Sequence, residues 1–374
     1  MSNAGRIAMF LAAVLLVWSL MHLFVLTRLW SLPLLAAPGY RRWLIAAFVC
    51  LWVSFPLAQI LARGTMVGRA VAPLEVFSAF WLGTLFLLFI WLLAADVLTG
   101  FGWLLPGWVS RLRSVATVVA LVFAGVGLVQ GVRAPAVRSH DVTVKDLPPE
   151  HEGLVIVQIT DLHLGELLGQ RWLEDRVAQI DALRPDVIAM TGDLLNEVPL
   201  VEPLLPTLRR LRAPLGVYAV TGNHEFYAGL DASVRLFEDA GFRVLRNTSA
   251  QLAPGLVIAG VDDLTAGRQF SVPGHAIERA LAARPAGATI LLSHTPWNGE
   301  QAAGLGVGLM LSGHTHGGQI WPFVYFTRLV YPHVVGRYTI GGMTWLVSRG
   351  TGFWGPPMRL FKTAEILKIT LHKG

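Results

Sequence analysis

The sequence has little charge and a single cysteine. Asp, Glu, Lys and Arg make up 14% of its 374 residues, whereas hydrophobic residues make up 54%. Such an apolar composition excludes an ordinary soluble enzyme and is typical of a membrane protein. Because Cys50 has no second cysteine to pair with, the chain has no internal disulfide, and cysteine usage does not indicate the redox compartment.

Two common enzyme motifs are also absent. No G-x-x-x-x-G-K-[ST] segment occurs, which excludes a P-loop NTPase. No G-x-S-x-G elbow occurs either, so Ser293 and Ser312 are poor candidates for a hydrolase nucleophile, and each precedes residues with a better explanation. The sequence therefore argues against both of these enzyme classes.

The basic residues are concentrated in the N-terminal third of the chain. Residues 1–135 contain nine Lys or Arg and two Asp or Glu, whereas residues 136–374 contain 21 basic and 22 acidic residues. The net charge of +6 thus belongs to an apolar region, with its arginines between hydrophobic runs. This distribution argues against nucleic-acid binding, which requires a basic surface on a folded domain.

Four apolar runs in this region are long enough to cross a bilayer as helices, which takes about 20 residues. They span residues 7–27, 43–62, 76–95 and 115–132, and tryptophans cluster near their ends, as at membrane interfaces. We predict that the first run is a retained helix and not a cleaved signal peptide, because three more runs follow it. Intramembrane charges are scarce, which favours an anchor over a transporter.

The pattern of apolar and polar residues changes after residue 153. Short runs rich in Val and Ile recur, including LVIVQIT, DVIAMTGD, GVYAVTGNHE, TILLSHTP and GLMLSGHTH, and helix-like stretches separate several of them. This alternation predicts a mixed α/β domain with buried strands, in which functional residues lie at strand ends.

Five polar motifs end these runs, and together they provide the ligands that two divalent metal ions need. They are Asp161-Leu162-His163, Gly192-Asp193, Gly222-Asn223-His224-Glu225, His294 and Gly313-His314-Thr315-His316. Each motif alone is weak, since a Gly-Asp turn or a lone histidine is usually structural. Their occurrence in order, each at a strand end, predicts a two-metal hydrolytic site.

The pattern D-x-H, G-D-x-x-[ND], G-N-H-[DE], a separate His and G-H-x-H resembles that of the calcineurin-like metallophosphoesterases. Asn196 matches the last position of the second block, and the resemblance covers residues 154–371. The segments TDLHLG, SGHTHGGQIWPF, SRGTG and EILKI are most similar to the bacterial membrane-associated subgroup, which includes lipid-linked phosphoesterases.

The resemblance implies a role for each matching residue and a fold for the domain. One metal would be held by Asp161, His163 and His316, and the other by Asn223, His294 and His314. Asp193 would bridge the two metals, and His224 would protonate the leaving oxygen without binding metal. The implied fold of the domain over residues 154–371 is a four-layer α/β/β/α sandwich. The sequence thus predicts an α/β protein with four transmembrane helices in residues 1–135, a linker over 136–153 and this sandwich.

The expected function is hydrolysis of a phosphodiester, phosphomonoester or pyrophosphate by a membrane-anchored enzyme with two divalent ions. The ligand types suit Mn, Fe, Zn or Ni alike. A phospholipid or lipid-linked nucleotide is a candidate substrate, and a non-catalytic membrane sensor or scaffold is the alternative function. We expect a multi-pass protein of the cell membrane. Lys and Arg are about equal on its two faces, which leaves the side of the catalytic domain open.

Two details stay open at this stage. Glu225 or Asp262 could orient a metal-binding histidine, or both could be turn residues. The aromatic stretch over residues 321–333 could rest on the bilayer and admit a lipid, or it could be a packed loop over the sheet edge.

Overall fold

The computed structural model describes residues 3–35, 37–62, 68–270 and 274–374. The chain divides into two compact units. The helical unit comprises Met1–Val132 and Gly355–Leu360, and the sandwich unit comprises Arg133–Trp354 and Phe361–Gly374.

Four long helices form most of the helical unit, and each is long and apolar enough to cross a membrane. They are α1 (Asn3–Leu29), α2 (Pro38–Ala62), α3 (Gly68–Leu98) and α4 (Val109–Gly131). These helices match the four runs predicted from the sequence. Short 3-10 helices at Pro33–Leu35 and Pro106–Trp108 lie in the connections.

A buried ion cluster joins three of these helices. The carboxylate of Asp96, which is fully buried near the end of α3, lies 2.9 Å from Nε of Arg28 in α1 and 2.7 Å from Nη2 of Arg113 in α4. The sequence analysis did not foresee this cluster, because the three residues are far apart along the chain. Two partners compensate the buried carboxylate, which a low-dielectric environment would otherwise strongly disfavour.

Residues Gly355–Leu360 pack against α4 within the helical unit. The backbone N–H of Arg359 donates to the carbonyl oxygen of Gly127 at 2.9 Å. A Cβ atom at Gly131 would lie 2.5 Å from the carbonyl oxygen of Pro357, closer than any side chain tolerates. Small residues on α4 therefore permit close backbone approach, as at helix contacts in membranes.

The sandwich unit contains two six-stranded sheets. The strands are β1 (Ala136–Val144), β2 (Val155–Ile159), β3 (Val187–Thr191), β4 (Val217–Val220), β5 (Arg243–Val244), β6 (Thr248–Ala253), β7 (Leu256–Gly260), β8 (Ala288–Leu292), β9 (Leu309–Ser312), β10 (Gly336–Ile340), β11 (Met343–Val347) and β12 (Glu365–Lys373). The strand orders are β1-β12-β2-β3-β4-β5 and β10-β11-β9-β8-β7-β6.

Helices connect the strands of the two sheets. They are α5 (Gln170–Asp181), α6 (Val198–Val201), α7 (Leu205–Leu208), α8 (Asn223–Ala228), α9 (Leu230–Asp239), α10 (Leu264–Gln269), α11 (Ala276–Ala282), α12 (Gly299–Gly304) and α13 (Val324–Val330), with 3-10 helices at Pro149–His151, Glu202–Leu204 and His316–Gly318. One apolar cluster fills the space between the sheets, and two more pack α5 with α9 and α11 onto the outer faces. The predicted four-layer α/β/β/α sandwich is confirmed.

The predicted linker is wrong for its first half, because residues 136–144 form β1, an edge strand of the first sheet. β1 pairs in parallel with β12 at the other end of the chain, and Val142 and Val144 are fully buried. The sequence of β1 alternates, but its polar residues obscured the strand because an edge strand leaves one face in water.

Parallel pairing brings the functional motifs to one edge of the sandwich. β2, β3 and β4 are parallel neighbours in the first sheet, and β7, β8, β9 and β11 are parallel neighbours in the second. Since the carboxyl ends of parallel strands meet at the same edge, each sheet presents its strand-end loops together.

Candidate metal centre

The motifs predicted from the sequence come together at this edge of the sandwich. Asp161, Asp193 and Asn223 follow β2, β3 and β4, while His294 and His314 follow β8 and β9. Positive φ angles between 48° and 71° occur at five of the site residues, namely Asp161, His163, Asp193, His314 and His316. Such left-handed backbone is sparsely populated for residues other than glycine, and its concentration at one place is typical of a functional site.

The first group of possible metal ligands contains Asp161, His163 and His316. The Nε2 atoms of the two histidines lie 3.2 Å apart, and Nε2 of His316 lies 3.5 Å from Oδ1 of Asp161. Nδ1 of His163 donates to Oδ1 of Asn196 at 3.0 Å, which leaves its Nε2 without a proton. The lone pair on Nε2 of His163, next to a second imidazole nitrogen and a carboxylate, suits a bound cation.

The second group contains His294, His314 and Asn223. Nε2 of His294 lies 3.2 Å from Nδ1 of His314. Nδ1 of His294 donates to the carbonyl oxygen of Thr191 at 2.8 Å, so Nε2 is the atom available for a metal. Oδ1 of Asn223 is buried and has no hydrogen-bond partner among the described residues. A buried amide oxygen without a partner is costly, and a bound cation would supply one.

Asp193 lies between the two groups. Its Oδ2 atom is 3.6 Å from Nε2 of His163 in the first group and 3.2 Å from Nε2 of His294 in the second. Its Oδ1 atom accepts the backbone N–H of His224 at 2.9 Å, which fixes the carboxylate. Asp193 is thus placed to contact a cation on either side.

The pKa values at the site reflect burial and close charges. Burial raises the pKa of Asp161 to about 6, whereas the nearby His294 and His224 hold the pKa of Asp193 well below its usual range despite burial. Burial lowers the pKa of His163 to about 3 and that of His314 to about 4, so both rings are neutral at pH 7. Burial lowers the pKa of His294, but Asp193 outweighs it and raises the value well above the usual one. A proton on Nε2 of His294 and a bound metal cation would compete for the same position, because the negative charge of Asp193 stabilises each of them.

Glycines permit the close approach of the loops that carry these residues. A Cβ atom at Gly222 would lie 2.1 Å from Oδ1 of Asp193, and one at Gly313 would lie 2.3 Å from Oδ2 of Asp161. Neither contact is possible for a side chain, so the glycines in the two motifs are required by the site itself.

Glu225 holds two of the metal-site loops together. Its buried carboxylate accepts the backbone N–H groups of Asp193 and Leu194 at 2.9 Å each and of Gly222 at 2.6 Å. Among the described residues its hydrogen bonds go to loop backbone and to no histidine, and the bond to Gly222 caps the start of α8. The turn-residue alternative therefore describes Glu225. Asp262 instead pairs with Arg246 at 3.0 Å and has a structural role.

We expect Glu225→Gln to reduce the free energy of unfolding by about 1–3 kcal/mol, because an amide NH₂ would face backbone donors and leave one unpaired. Metal affinity should fall as well, since the Asp193 and Asn223 loops lose their common anchor. Urea unfolding and metal titration would measure both effects. Glu238→Gln, at an exposed position of α9, is the matched control. An unchanged unfolding free energy would contradict this role.

Tyr331 is a site residue that the sequence analysis assigned to an aromatic loop. Its hydroxyl lies 2.7 Å from Nε2 of His314, and its ring stacks on Trp297 with centroids 5.6 Å apart. When Nε2–H of His314 donates to this hydroxyl, Nδ1 is free to bind a metal. No motif marks such a residue, because the contact depends on how α13 folds back after the His314 motif.

Tyr331→Phe should therefore weaken metal binding by about 10–100-fold, the usual effect of removing a partner that orients a metal ligand. Tyr325→Phe removes an exposed hydroxyl from α13 and should leave metal affinity unchanged. The comparison requires the metal dissociation constants of both variants. Equal metal affinities of the two variants would show that Tyr331 packs against His314 without determining which ring nitrogen of His314 carries the proton.

His224 lies beside the two groups. Its ring centroid is 4.6 Å from that of His163 and 6.0 Å from that of Trp354. Burial lowers the pKa of His224, while Asp193 and Asp263 oppose the decrease.

The two serines near the site form hydrogen bonds within the fold. The hydroxyl of Ser293 donates to the carbonyl oxygen of Thr295, and the hydroxyl of Ser312 accepts from Nε1–H of Trp345.

Comparisons with known proteins agree with this geometry. Residues 154–318 match the family model of the calcineurin-like phosphoesterases. The chain is 31% identical over 363 residues to the transmembrane protein with metallophosphoesterase domain from Danio rerio, covering 91% of this chain and 83% of that protein. An uncharacterized metallophosphoesterase from Aquifex aeolicus is 35% identical over 244 residues, which is 63% of this chain and 91% of that protein.

Among solved structures, a dimetal phosphatase from Danio rerio is similar at 15% identity with a TM-score of 0.35, covering 59% of this chain and 99% of that chain. The sequence relationships cover nearly the whole chain, including the apolar helices, and the matched family model includes the strand-end motifs described above. The chain therefore belongs to the calcineurin-like metallophosphoesterases, a family of metal-dependent phosphoester hydrolases.

Proposed function

We propose that the protein is a membrane-anchored phosphoesterase that uses two divalent cations to hydrolyse a phosphodiester, phosphomonoester or pyrophosphate carried by a lipid. The observation that supports the two-metal site best is the position of Asp193, whose Oδ2 atom faces His163 on one side and His294 on the other. A single carboxylate oxygen between two sets of nitrogen ligands is suited to bridging two ions.

Seven residues would hold the cations. Asp161, His163 and His316 form one set, Asn223, His294 and His314 form the other, and Asp193 belongs to both. When bound, two such ions supply Lewis-acid chemistry to the phosphoryl group and to the attacking water. The identity of the metal is left to experiment, because Mn, Fe, Zn and Ni share these ligands.

The protein residues contribute orientation and proton transfer. Asn196, the Thr191 carbonyl and Tyr331 fix the protonated nitrogens of three histidines, so that the other nitrogens face the metal sites. His224 is placed to give a proton to the leaving oxygen, because its ring adjoins the first group and imidazole titrates near neutral pH.

An apolar surface borders this site, which supports a lipid-linked substrate. We call it the aromatic patch, and it consists of the exposed residues Phe323, Tyr325, Phe326, Leu329, Val330 and Trp354. At one end the ring of Trp354 contacts His224, and at the other end Tyr331, the residue after Val330, contacts His314. Contiguous exposed apolar residues of this kind mark interaction surfaces.

Two residues of the aromatic stretch are packed and take no part in this surface. Trp321 lies against Phe361 with ring centroids 5.8 Å apart, and Tyr331 lies against Trp297. The packed-loop alternative describes these two residues, and we propose that the exposed part of the stretch rests on the bilayer. The exposed part carries Arg328, a cation next to aromatic residues, which is the combination found at bilayer interfaces.

Charged substitutions in the aromatic patch test the proposed substrate class. We expect Phe326→Glu and Leu329→Glu to lower turnover of a phospholipid in mixed micelles by about tenfold or more, since a buried charge opposes apolar contact. Turnover of a water-soluble aryl phosphodiester should stay the same. Gln251→Glu, at an exposed position of β6, is the control. An equal effect on both substrates, or no effect on either, would overturn the lipid-linked part of the proposal.

A non-catalytic sensor or scaffold is the weaker alternative, because such a protein has no need to keep both ligand sets and the loop anchor Glu225. The four apolar helices and the transmembrane relative indicate membrane association. We propose that the helices place the protein in the cell membrane as a multi-pass protein. A reporter fused to the C-terminus would establish which face carries the sandwich unit.

A further inference from the structure

The sandwich unit contains a polar cavity that lies apart from the proposed metal ligands. Its volume is about 330 Å³, and its lining includes residues of the edge strand β1 and its neighbour β12 in one sheet and of the edge strand β10 and its neighbour β11 in the other. The charged and polar residues that line it are Arg138, Ser139, His140, Arg349, Lys362 and Glu365. It is lined by none of the seven proposed metal ligands.

Three residues of the SRGTG and EILKI segments line the cavity, namely Arg349, Glu365 and Leu367. The later residues of SRGTG support the metal-site loop, since Gly352 N–H donates to the carbonyl oxygen of Asp161 at 3.0 Å. Arg349 pairs with Glu365 at 2.6 Å through Nη1, and the backbone N–H of Arg349 donates to the other carboxylate oxygen at 2.9 Å. Glu365 is the one acidic residue of the lining and is buried, so its charge is matched by Arg349. This pair contributes no net charge to the cavity.

The remaining charges of the lining are positive. Arg138 and Lys362 are exposed and form no ion pair with any described residue. His140 is half-buried beside them, and burial lowers its pKa, while Glu365 and Asp141 oppose this and Arg337 adds to it. With His140 neutral, the cavity carries an excess of two positive charges, and Arg337 nearby adds to the positive potential.

Apolar residues complete the lining on one side, with Leu346 and Val347 on β11 and Leu367 on β12. A concave site with a few convergent polar groups on an apolar wall is the usual form of a small-molecule site. Along the chain, Arg138 follows the end of the helical unit at Val132 by six residues, and Lys362 follows Leu360 by two. Basic residues close to membrane segments commonly meet phosphate groups.

We propose that this cavity binds a phosphate-type anion, with Arg138 and Lys362 as the residues that pair with it and His140 and Ser139 as neutral donors. Inorganic phosphate and the head group of an anionic lipid share this chemistry. The site is separate from the metal centre, although the side chain of Arg349 also packs near Gly317, where a Cβ atom would lie 3.1 Å from its Cγ.

Equilibrium dialysis of the full-length protein in neutral detergent, with radiolabelled inorganic phosphate, tests the proposal. The metals are removed first with EDTA, so that phosphate has no bound cation to contact. We expect one phosphate per chain, and the double variant Arg138→Gln/Lys362→Gln should bind at least about tenfold more weakly, since each charged hydrogen bond contributes about that factor. Arg210→Gln/Arg212→Gln removes two charges from exposed residues outside the cavity and should bind like the wild type.

Competition distinguishes the two sources of the anion. Dihexanoyl phosphatidic acid should displace inorganic phosphate more strongly than glycerol 3-phosphate if a lipid head group is the natural ligand, because its acyl chains add apolar contact only where the site continues onto a lipid-binding surface. Equal displacement would indicate a soluble phosphate. The proposal is overturned if the metal-free wild type binds no phosphate, or if the Arg138 and Lys362 double variant binds as the wild type does. Either result leaves the phosphoesterase proposal untouched, because the metal site is empty in this assay.

Discussion

Asp193→Asn is expected to abolish tight metal binding and to reduce turnover by about 100-fold or more. The loss should exceed the 10–100-fold that follows from removing a residue that only orients a ligand. The Oδ2 atom of Asp193 faces both histidine groups. The neutral amide in the Asp193→Asn variant would no longer offset the charge of two cations. Metal content by mass spectrometry and turnover of an aryl phosphodiester measure the two losses together.

The control for this variant is Asp181→Asn at an exposed position of α5, which should keep both metals and full turnover. Circular dichroism of Asp193→Asn should show an intact fold, because the loop anchor Glu225 is unchanged. Two metals per chain with normal turnover in Asp193→Asn would rule out the bridging role.

His224→Ala should keep the metals and lose general-acid catalysis. Turnover of substrates with poor leaving groups is expected to fall by about 10²–10⁴-fold, the usual contribution of a general acid. Activated aryl esters need less protonation of the leaving oxygen, so their turnover should fall much less. The comparison of alkyl and aryl phosphodiesters, at equal metal content, is the measurement.

His151→Ala provides the matched control, since this half-buried histidine is outside the candidate site and its Nε2 atom lies 2.8 Å from the carbonyl oxygen of Pro254. A loss that is equal for alkyl and aryl substrates would show that His224 acts on a step other than leaving-group departure. A loss of bound metal in His224→Ala would instead make His224 a ligand, which its position near Asp193 also permits.

The strand-end motifs could be predicted from the sequence because they depend on local rules. A glycine followed by Asp, Asn or His at the end of an apolar run places a polar side chain at the sheet edge, whatever the remaining fold. Parallel pairing then brings Asp161 and Asp193 together in the first sheet and His294 and His314 together in the second. The stacking of the two sheets, which no strand pattern shows, joins the two pairs. The four apolar helices could be predicted equally well, since length and composition define them.

Features that depend on distant contacts escaped the sequence analysis. β1 pairs with β12 from the other end of the chain, and nothing in its half-polar sequence indicates that partner. The contact of Tyr331 with His314 depends on the path of α13, and the pairing of Asp96 depends on the packing of three helices. The sequence leaves Glu225 open between orienting a histidine and a turn, because its partners are backbone N–H groups, which no sequence pattern displays.

The central claim is that two cations share Asp193. Stepwise addition of Mn²⁺ to metal-free full-length protein, followed by electron paramagnetic resonance and by turnover of an aryl phosphodiester, tests it most directly. We expect turnover to appear only with the second equivalent, together with the spectrum of two magnetically coupled ions. Full turnover after one equivalent, or two ions without coupling, would contradict a dinuclear site bridged by Asp193.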